Sequence, residues 1–271
     1  MSENNPVQNT LQPRVIGFIN YIGLLTLVKR EVGRFLKVYS QTIIAPVVTT
    51  LLFYTVFALA FGGVARQVGN VPFLQFLAPG LIMMTMAQNA FANTSSSILI
   101  SKVQGNIVDV LMPPLSEYEL TFSYTLGGVT RGLLVGLSVS MVIYLIVPLQ
   151  VYSLVIIFYF ALFSSLLLSL LGVLCGIWAK KFDHMASVTN FIILPLTFLS
   201  GTFYSVAKLP EEFRFLAFWN PFFYIIDGFR YGFIGSGDSN IISGILILAV
   251  ANLFFLILTV YIFKKGFGLR N

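Results

Sequence analysis

The sequence predicts an all-α integral membrane protein with six transmembrane helices. An N-terminal amphipathic interfacial helix precedes them, and a re-entrant helical hairpin lies on the outer side between spans 5 and 6. Three observations lead there. The chain is 57% hydrophobic and 10% charged, whereas soluble domains carry roughly 25% charged residues. A soluble fold of 271 residues has too little polar surface to cover that much apolar side chain. Several charge-free runs reach the roughly 20 apolar residues that cross hydrocarbon as a helix, and the 27 Phe and 12 Tyr suit lipid-facing and interfacial positions.

The elements follow in chain order. Residues 1–40 form a cytoplasmic tail and an amphipathic helix. The first 13 residues are polar and carry no cation before Arg14, unlike the basic start of a cleaved signal peptide. Over residues 15–39, Arg30, Arg34 and Lys37 fall on one helical face and Val28, Val32, Phe35 and Tyr39 on the other. Such a helix lies in the interface with its cations towards anionic headgroups. It is either a plain membrane anchor or an elbow that also contacts a soluble partner.

The six-span core covers residues 41–263, and residues 264–271 are a second tail. Span 1 is placed at 43–62 and span 2 at 73–92. A break at Pro148-Leu-Gln-Val-Tyr-Ser153 divides the next run into span 3 at 128–147 and span 4 at 154–178. Span 5 is placed at 187–203 and span 6 at 241–263. Between spans 5 and 6, residues 203–235 hold Pro210 and Pro221 and two apolar patches too short to cross, hence the hairpin. Trp219, Tyr224 and Tyr231 suit an interfacial depth there. Irregular backbone at that depth needs cover from protein or access to water.

Lys and Arg in the loops set orientation. Twelve of the 16 cations, from Arg14 to Lys37 and then Lys102, Arg131, Lys180, Lys181, Lys264, Lys265 and Arg270, fall on one side; Arg66, Lys208, Arg214 and Arg230 fall on the other. Both termini are therefore expected in the cytoplasm. This placement accounts for the net charge of +6 without a nucleic-acid partner.

Little in the chain suggests catalysis. The single cysteine, Cys175, and the single histidine, His184, exclude a disulfide framework and a Cys/His metal site within one chain. His184 reads as part of a charged turn with Asp183. No phosphate-binding GxxxxGK[ST] loop is present, so the chain is not expected to hydrolyse ATP. The spans contain no Asp or Glu of the kind that couples ion gradients to transport. Asp227, in the hairpin, reads as a local ion pair with Arg230. A machine driven from outside the chain is favoured over an ATP-independent secondary carrier or a structural membrane protein.

Within the spans, Arg131 is expected to snorkel to headgroups. The stripes Gly128, Gly132, Gly136 and Ser165, Ser169, Gly172, Gly176 suit close helix packing, within or between monomers. Thr85, Asn89, Asn93 and Ser96 share one face of span 2. Amides in lipid need partners, so this face either bonds another helix or lines a pathway. Residues 102–112 read as a short amphipathic helix with Ile107, Val110 and Leu111 on its apolar side, stopped by Pro113 and Pro114. It would suit a lever seated in a partner's groove.

Three motifs carry a resemblance: Phe76-Leu-Ala-Pro-Gly-Leu-Ile-Met-Met84 opening span 2; Asn106-Ile-Val-Asp-Val-Leu-Met-Pro-Pro-Leu115 after it; and Leu199-Ser-Gly-Thr-Phe-Tyr204 with Asn220-Pro-Phe-Phe-Tyr-Ile-Ile-Asp-Gly-Phe-Arg230. In their order and spacing over nearly the whole chain, the sequence resembles the ABC-2-type permeases, membrane subunits of ABC exporters of drug or polysaccharide type. The resemblance implies a single ABC-2-type transmembrane domain over 1–271, acting as a homodimer in the inner membrane with two copies of an ABC ATPase. That ATPase would hold ATP and Mg; this chain would bind no cofactor. Asn106, Ile107, Val108, Asp109, Val110 and Leu111 would couple to the ATPase. Asn89, Asn93, Phe198 and Phe203 would face the route, with Pro221, Tyr224 and Arg230 in an outer gate. Aromatic, nearly uncharged spans lean towards a hydrophobic or drug-like cargo. Lipid is the remaining partner.

Overall fold

The computed structural model describes residues 17, 19–61, 67–69 and 71–268. Arg14, Arg66, Arg270, the N-terminal tail and the first residues expected in the N-terminal helix lie outside the described residues. Eleven helices are described: α1 (Tyr21–Leu36), α2 (Ala45–Phe61), α3 (Phe73–Val103), α4 (Ile107–Leu111), α5 (Glu117–Ile146), α6 (Leu154–Trp178), α7 (Phe182–Val188), α8 (Leu194–Leu199), α9 (Glu211–Trp219), α10 (Pro221–Ile234) and α11 (Ile241–Lys265). A π-helical turn, Ser40–Ile44, leads into α2, and another, Thr189–Ile193, fuses α7 to α8. Between α2 and α3 a two-residue antiparallel ribbon pairs Gln67 with Pro72 and Val68 with Val71.

Among the described residues, five helical stretches are long and apolar enough to cross a membrane: Ser40–Phe61, Glu117–Ile146, Leu154–Trp178, Phe182–Leu199 and Ile241–Lys265. They correspond to the expected spans 1, 3, 4, 5 and 6, with ends shifted by up to about three turns. The expected span 2 is α3, and it does not meet that standard. Its 31 residues would reach about 46 Å at 1.5 Å per residue, so length is ample. What it lacks is apolarity, because Asn89, Asn93, Thr94 and the serines 95–97 occupy its second half.

α3 holds these groups by sitting at the centre. It packs most heavily against α6, then α5, with α10 and α2 on other sides. Twenty-two of its residues are buried, Asn93, Thr94 and Ser95 completely. The small-residue stripes make this possible, and they act within one monomer. A Cβ on Gly128 would strike Ser169 Oγ and lie 2.7 Å from Thr94 Cγ2; one on Gly172 would strike Thr94 Oγ1 and lie 2.5 Å from the Phe91 carbonyl. The vacated space lets Thr94 donate across to the Ser169 carbonyl at 2.8 Å. Close backbone approach of this kind is how helices associate where lipid supplies no hydrophobic drive.

Overpacking a tight core costs about 1–3 kcal/mol. Gly172→Ala should therefore lower the melting temperature of the purified protein by several degrees. Gly33→Ala, inside α1 at a position with open space around it, should not lower it, since Ala is favoured over Gly in a helix by about 1 kcal/mol; thermal unfolding in detergent measures both.

Candidate functional site

The polar face of α3 is engaged by three neighbouring elements. Near its start Thr85 exchanges a 2.7 Å hydrogen bond with Thr50 of α2. One turn on, Asn89 Oδ1 accepts from Arg131 Nη2 of α5 at 2.9 Å. Arg131 therefore does not snorkel to headgroups; a partner inside the protein is within shorter reach. One turn further, Arg34 of α1 donates to the Asn93 carbonyl at 2.6 Å, to Asn93 Oδ1 at 3.0 Å and to Ser96 Oγ at 3.3 Å. Arg30 reaches Ser101 Oγ at 3.3 Å. The expectation that Arg30 and Arg34 turn to anionic headgroups is overturned, since this stripe of α3 offers them fixed acceptors.

Beside Arg34 sits Glu31, fully buried, 3.7 Å from the guanidinium and accepting from Ser97 Oγ at 2.8 Å. Gly127 of α5 makes the room: a Cβ there would lie 2.7 Å from Glu31 Cβ. Burial pushes the Glu31 carboxyl above the usual range, opposed by Arg34, Ser97 and Arg30, and burial pulls the Arg34 guanidinium down. Sequence reasoning missed Glu31. Its one available signal is a lone acid among the cations of the first helix.

At the other end of α3 a second knot joins two of the three motifs behind the family resemblance. Arg230 of α10 is buried, with Nε donating to the Phe76 carbonyl at 3.2 Å and Nη2 to the carbonyls of Gly201 at 2.7 Å and Thr202 at 3.4 Å. Its guanidinium lies 3.8 Å from the centre of the Phe76 ring. Gly80 has no room for a side chain, because a Cβ would lie 2.7 Å from the Thr202 carbonyl oxygen and 2.9 Å from Arg230 Nη2. The expected Asp227–Arg230 ion pair does not form. Asp227 instead accepts from the backbone of Asp238 and Ser239 and from Ser239 Oγ at 2.6–2.9 Å. Asp238, unremarked in the sequence, accepts from Ser205 Oγ and from Val206 N at 2.7 Å. Asn220 caps α10 and donates to the Leu196 carbonyl at 2.8 Å. Of the remaining hairpin residues, Pro221 opens α10 and is exposed, and Tyr224 is half-buried against Phe223.

Phe203 stacks on Phe57 of α2, ring centres 4.3 Å apart, and on Phe198 at 5.4 Å; Phe57 continues to Phe61 at 5.9 Å. Phe198 and Phe203 therefore meet each other, and Phe203 meets α2. The Phe53, Phe57, Phe61 spacing on span 1 was the unread signal. Asn89 lies elsewhere, in a half-polar groove of about 280 Å³ with Gln41, Thr49, Thr50, Phe53 and Gln88 between α2 and α3. Asn93 is fully buried under Arg34, away from any open surface. The four residues expected on one route thus divide into an aromatic end, a polar groove and a structural asparagine.

α4 shows two faces. Ile107 and Val110 are buried with Leu27, Ile98, Leu120, Tyr124, Val173, Ile177 and Phe263, and Leu111 packs partly against them. Asn106 precedes the helix, while Val108, Asp109 and Met112 face out, Val108 52% and Met112 77% exposed. The apolar side of α4 is thus turned into this chain's own core, and of the six residues expected to couple, Val108 and Asp109 are the exposed ones. A latch fixes the loop to α1: Glu119, in a capping box with Ser116, accepts from the Asn20 backbone N, and Asn20 Nδ2 donates to the Pro114 carbonyl at 3.2 Å. His184 stands 5.5 Å from the Trp178 ring. Among the described residues no group of His, Cys, Asp and Glu is placed to hold a metal ion.

The model of the family described as "ABC-2 type transporter" matches residues 23–234, from α1 to the end of α10. The "Inner membrane transport permease YadH" of Escherichia coli strain K12 is 36% identical over 251 residues, 93% of this chain and 98% of that protein. The protein of the same name in Shigella flexneri matches equally. "Nodulation protein J" of Rhizobium leguminosarum bv. viciae is 22% identical over 191 residues, 70% of this chain and 73% of that protein.

Removing one partner of a buried ion pair leaves an uncompensated charge, at a cost of several kcal/mol. Arg34→Gln should therefore destabilise the protein strongly, and Glu31→Gln with Arg34→Gln should be less damaging than Arg34→Gln alone. A double-mutant cycle on melting temperature reads the coupling.

Proposed function

Because this chain belongs to the ABC-2 type transporter family, we propose that it is the membrane subunit of an ATP-driven exporter in a bacterial-type inner membrane. Two copies pair as a homodimer with two copies of a separate ABC ATPase, which binds the ATP and Mg. The chain is a single transmembrane domain with both termini in the cytoplasm, in keeping with the bias of its cations. α3 is the remaining span, span 2, its polar face engaged by α1, α2 and α5 rather than by lipid. α1 is the elbow at the cytoplasmic interface, and α9 with α10 dips into the outer leaflet.

The observation that carries this reading is the geometry of α4. A five-residue helix is pinned by Ile107 and Val110 to the bundle, is braced through Asn20 and Glu119 to α1, and leaves Val108, Asp109 and Met112 free. Such a helix transmits a push from a soluble partner into α3 and α5 because it cannot slide independently. Its docking surface is Val108, Asp109 and Met112, with Asn106 opening the helix; Ile107, Val110 and Leu111 seat it.

Two observations support the dimer and the route. Only 11% of the apolar stretch in each of Ser40–Phe61 and Phe182–Leu199 is buried, and these two meet through Phe57, Phe198 and Phe203. Their uncovered faces suit a second copy. The aromatic stack would form the outer part of the route and the groove at Asn89 its inner part, with the Arg230 knot holding the outer gate in place. A lipophilic, drug-like cargo matches that lining.

Co-expression of this chain with its ATPase, affinity purification through this chain and measurement of ATP hydrolysis in vesicles test the mechanism. Val108→Glu with Met112→Glu should cut co-purification and permease-dependent turnover about tenfold or more, the scale of losing central contact residues, with the melting temperature kept. Ile107→Ala with Val110→Ala should lower the melting temperature instead. Wild-type chain that binds no ATPase would overturn the proposal. For the route, Asn89→Ala and Phe203→Ala should each lower ATP-driven movement of a lipophilic dye severalfold in a folded protein, whereas Asn93→Ala should act chiefly on stability.

A further inference from the structure

One cavity shares no residue with the exposed side of α4 or with the aromatic stack. It is an apolar groove of about 730 Å³ between α5, α6 and α11, with Leu126, Val129, Leu162 and Ile257 among its walls. At one end it opens between Tyr118, Tyr261 and Lys264. We infer that this groove holds one anionic phospholipid of the leaflet at the α4 end, its acyl chain between α5 and α11 and its phosphate at Lys264.

Depth, charge and wall chemistry agree on that occupant. Tyr118 is the second residue of α5 and Lys264 lies in the last turn of α11, so the mouth is at the helix ends, where headgroups lie. From Lys264 to Leu256, another wall residue, is eight residues, about 12 Å of helix. That is close to half of a hydrocarbon core about 30 Å thick, the depth of one leaflet. Lys264 supplies a cation at the mouth, and Lys265 adds a second at the rim, 4.9 Å from the Tyr261 ring centre. Cations at this depth attract anionic lipid, and tyrosines suit the interface. The walls make no polar demand on the chain below: Thr121 and Thr125 donate to their own helix, to the Glu117 and Thr121 carbonyls at 2.8 and 2.7 Å. The groove adjoins the cluster that seats α4, since Tyr118, Thr121 and Thr125 alternate on α5 with Leu120 and Tyr124 of that cluster. A lipid there would stiffen the helices that α4 moves.

The test uses the full chain, reconstituted in vesicles of equal phosphatidylglycerol and phosphatidylcholine, extracted in mild detergent and washed. Native mass spectrometry then counts the lipid retained. Wild type should keep about one phosphatidylglycerol per chain in preference to phosphatidylcholine. Lys264→Gln should lower that preference about fivefold. Ile257→Trp, which fills the groove from an exposed position, should lower retention of both lipids. Ile242→Trp, exposed at the far end of α11, should change neither. Equal retention of the two lipids by wild type, or unchanged phosphatidylglycerol in Ile257→Trp, overturns the proposal. So does loss of the dimer in Ile257→Trp by light scattering, which would make the groove a protein interface.

Discussion

Hydrocarbon offers no hydrogen bonds, so every polar group placed in it must find a partner within the protein. In this chain that constraint falls on α3. The helix carries Asn89, Asn93, Thr94 and Ser95 through the middle of the bundle, and much of the remaining structure is arranged around their satisfaction. Arg131 comes to Asn89 and Arg34 to Asn93. Thr94 is answered by the Ser169 carbonyl, at a distance that only the glycines of α5 and α6 permit. Apolar α5, α6 and α11 then shield this centre from lipid. The helix least able to face the bilayer is buried more completely than the five apolar stretches.

The same constraint explains α1. A helix with three cations on one face would ordinarily present them to headgroups. Here two of them bond to α3, and Glu31 is carried inwards with them into a space left by Gly127. α1 is thereby fastened to α3 by charge-assisted bonds, which are shorter and stronger than neutral ones. Its N-cap, Asn20, is fastened to the α4–α5 loop through Glu119. A displacement of α4 would therefore reach α1, α3 and α5 together.

At the opposite end, Arg230 performs a comparable task with backbone carbonyls. It ties the start of α3 to the loop after α8, and Asp238 and Asp227 tie that loop onward to the start of α11. An Arg enclosed in this way needs several fixed acceptors and an aromatic face to offset its lost hydration, and Phe76 supplies both a carbonyl and a ring. Two short motifs 115 residues or more apart in the chain are thus parts of one structural unit.

Composition and charge-free run lengths were sufficient to establish an all-α membrane chain and five of its spans, because the hydrocarbon thickness dictates the length of any apolar helix. They also located α3, α4 and the segment after span 5 that holds α9 and α10, whose prolines and polar breaks are local signals. Motif order pointed to the family. What remained out of reach were the pairings. Which way Arg34 and Arg131 turn depends on acceptors 59 and 42 residues away. Which side of α4 is free depends on Leu27, Val173 and Phe263, which amphipathicity alone does not reveal. Asp227 and Arg230, near neighbours in sequence, each found better partners across the fold. Periodicity records which residues share a face; only the tertiary structure decides what that face meets, because burial and hydrogen bonding are settled between elements distant in the chain.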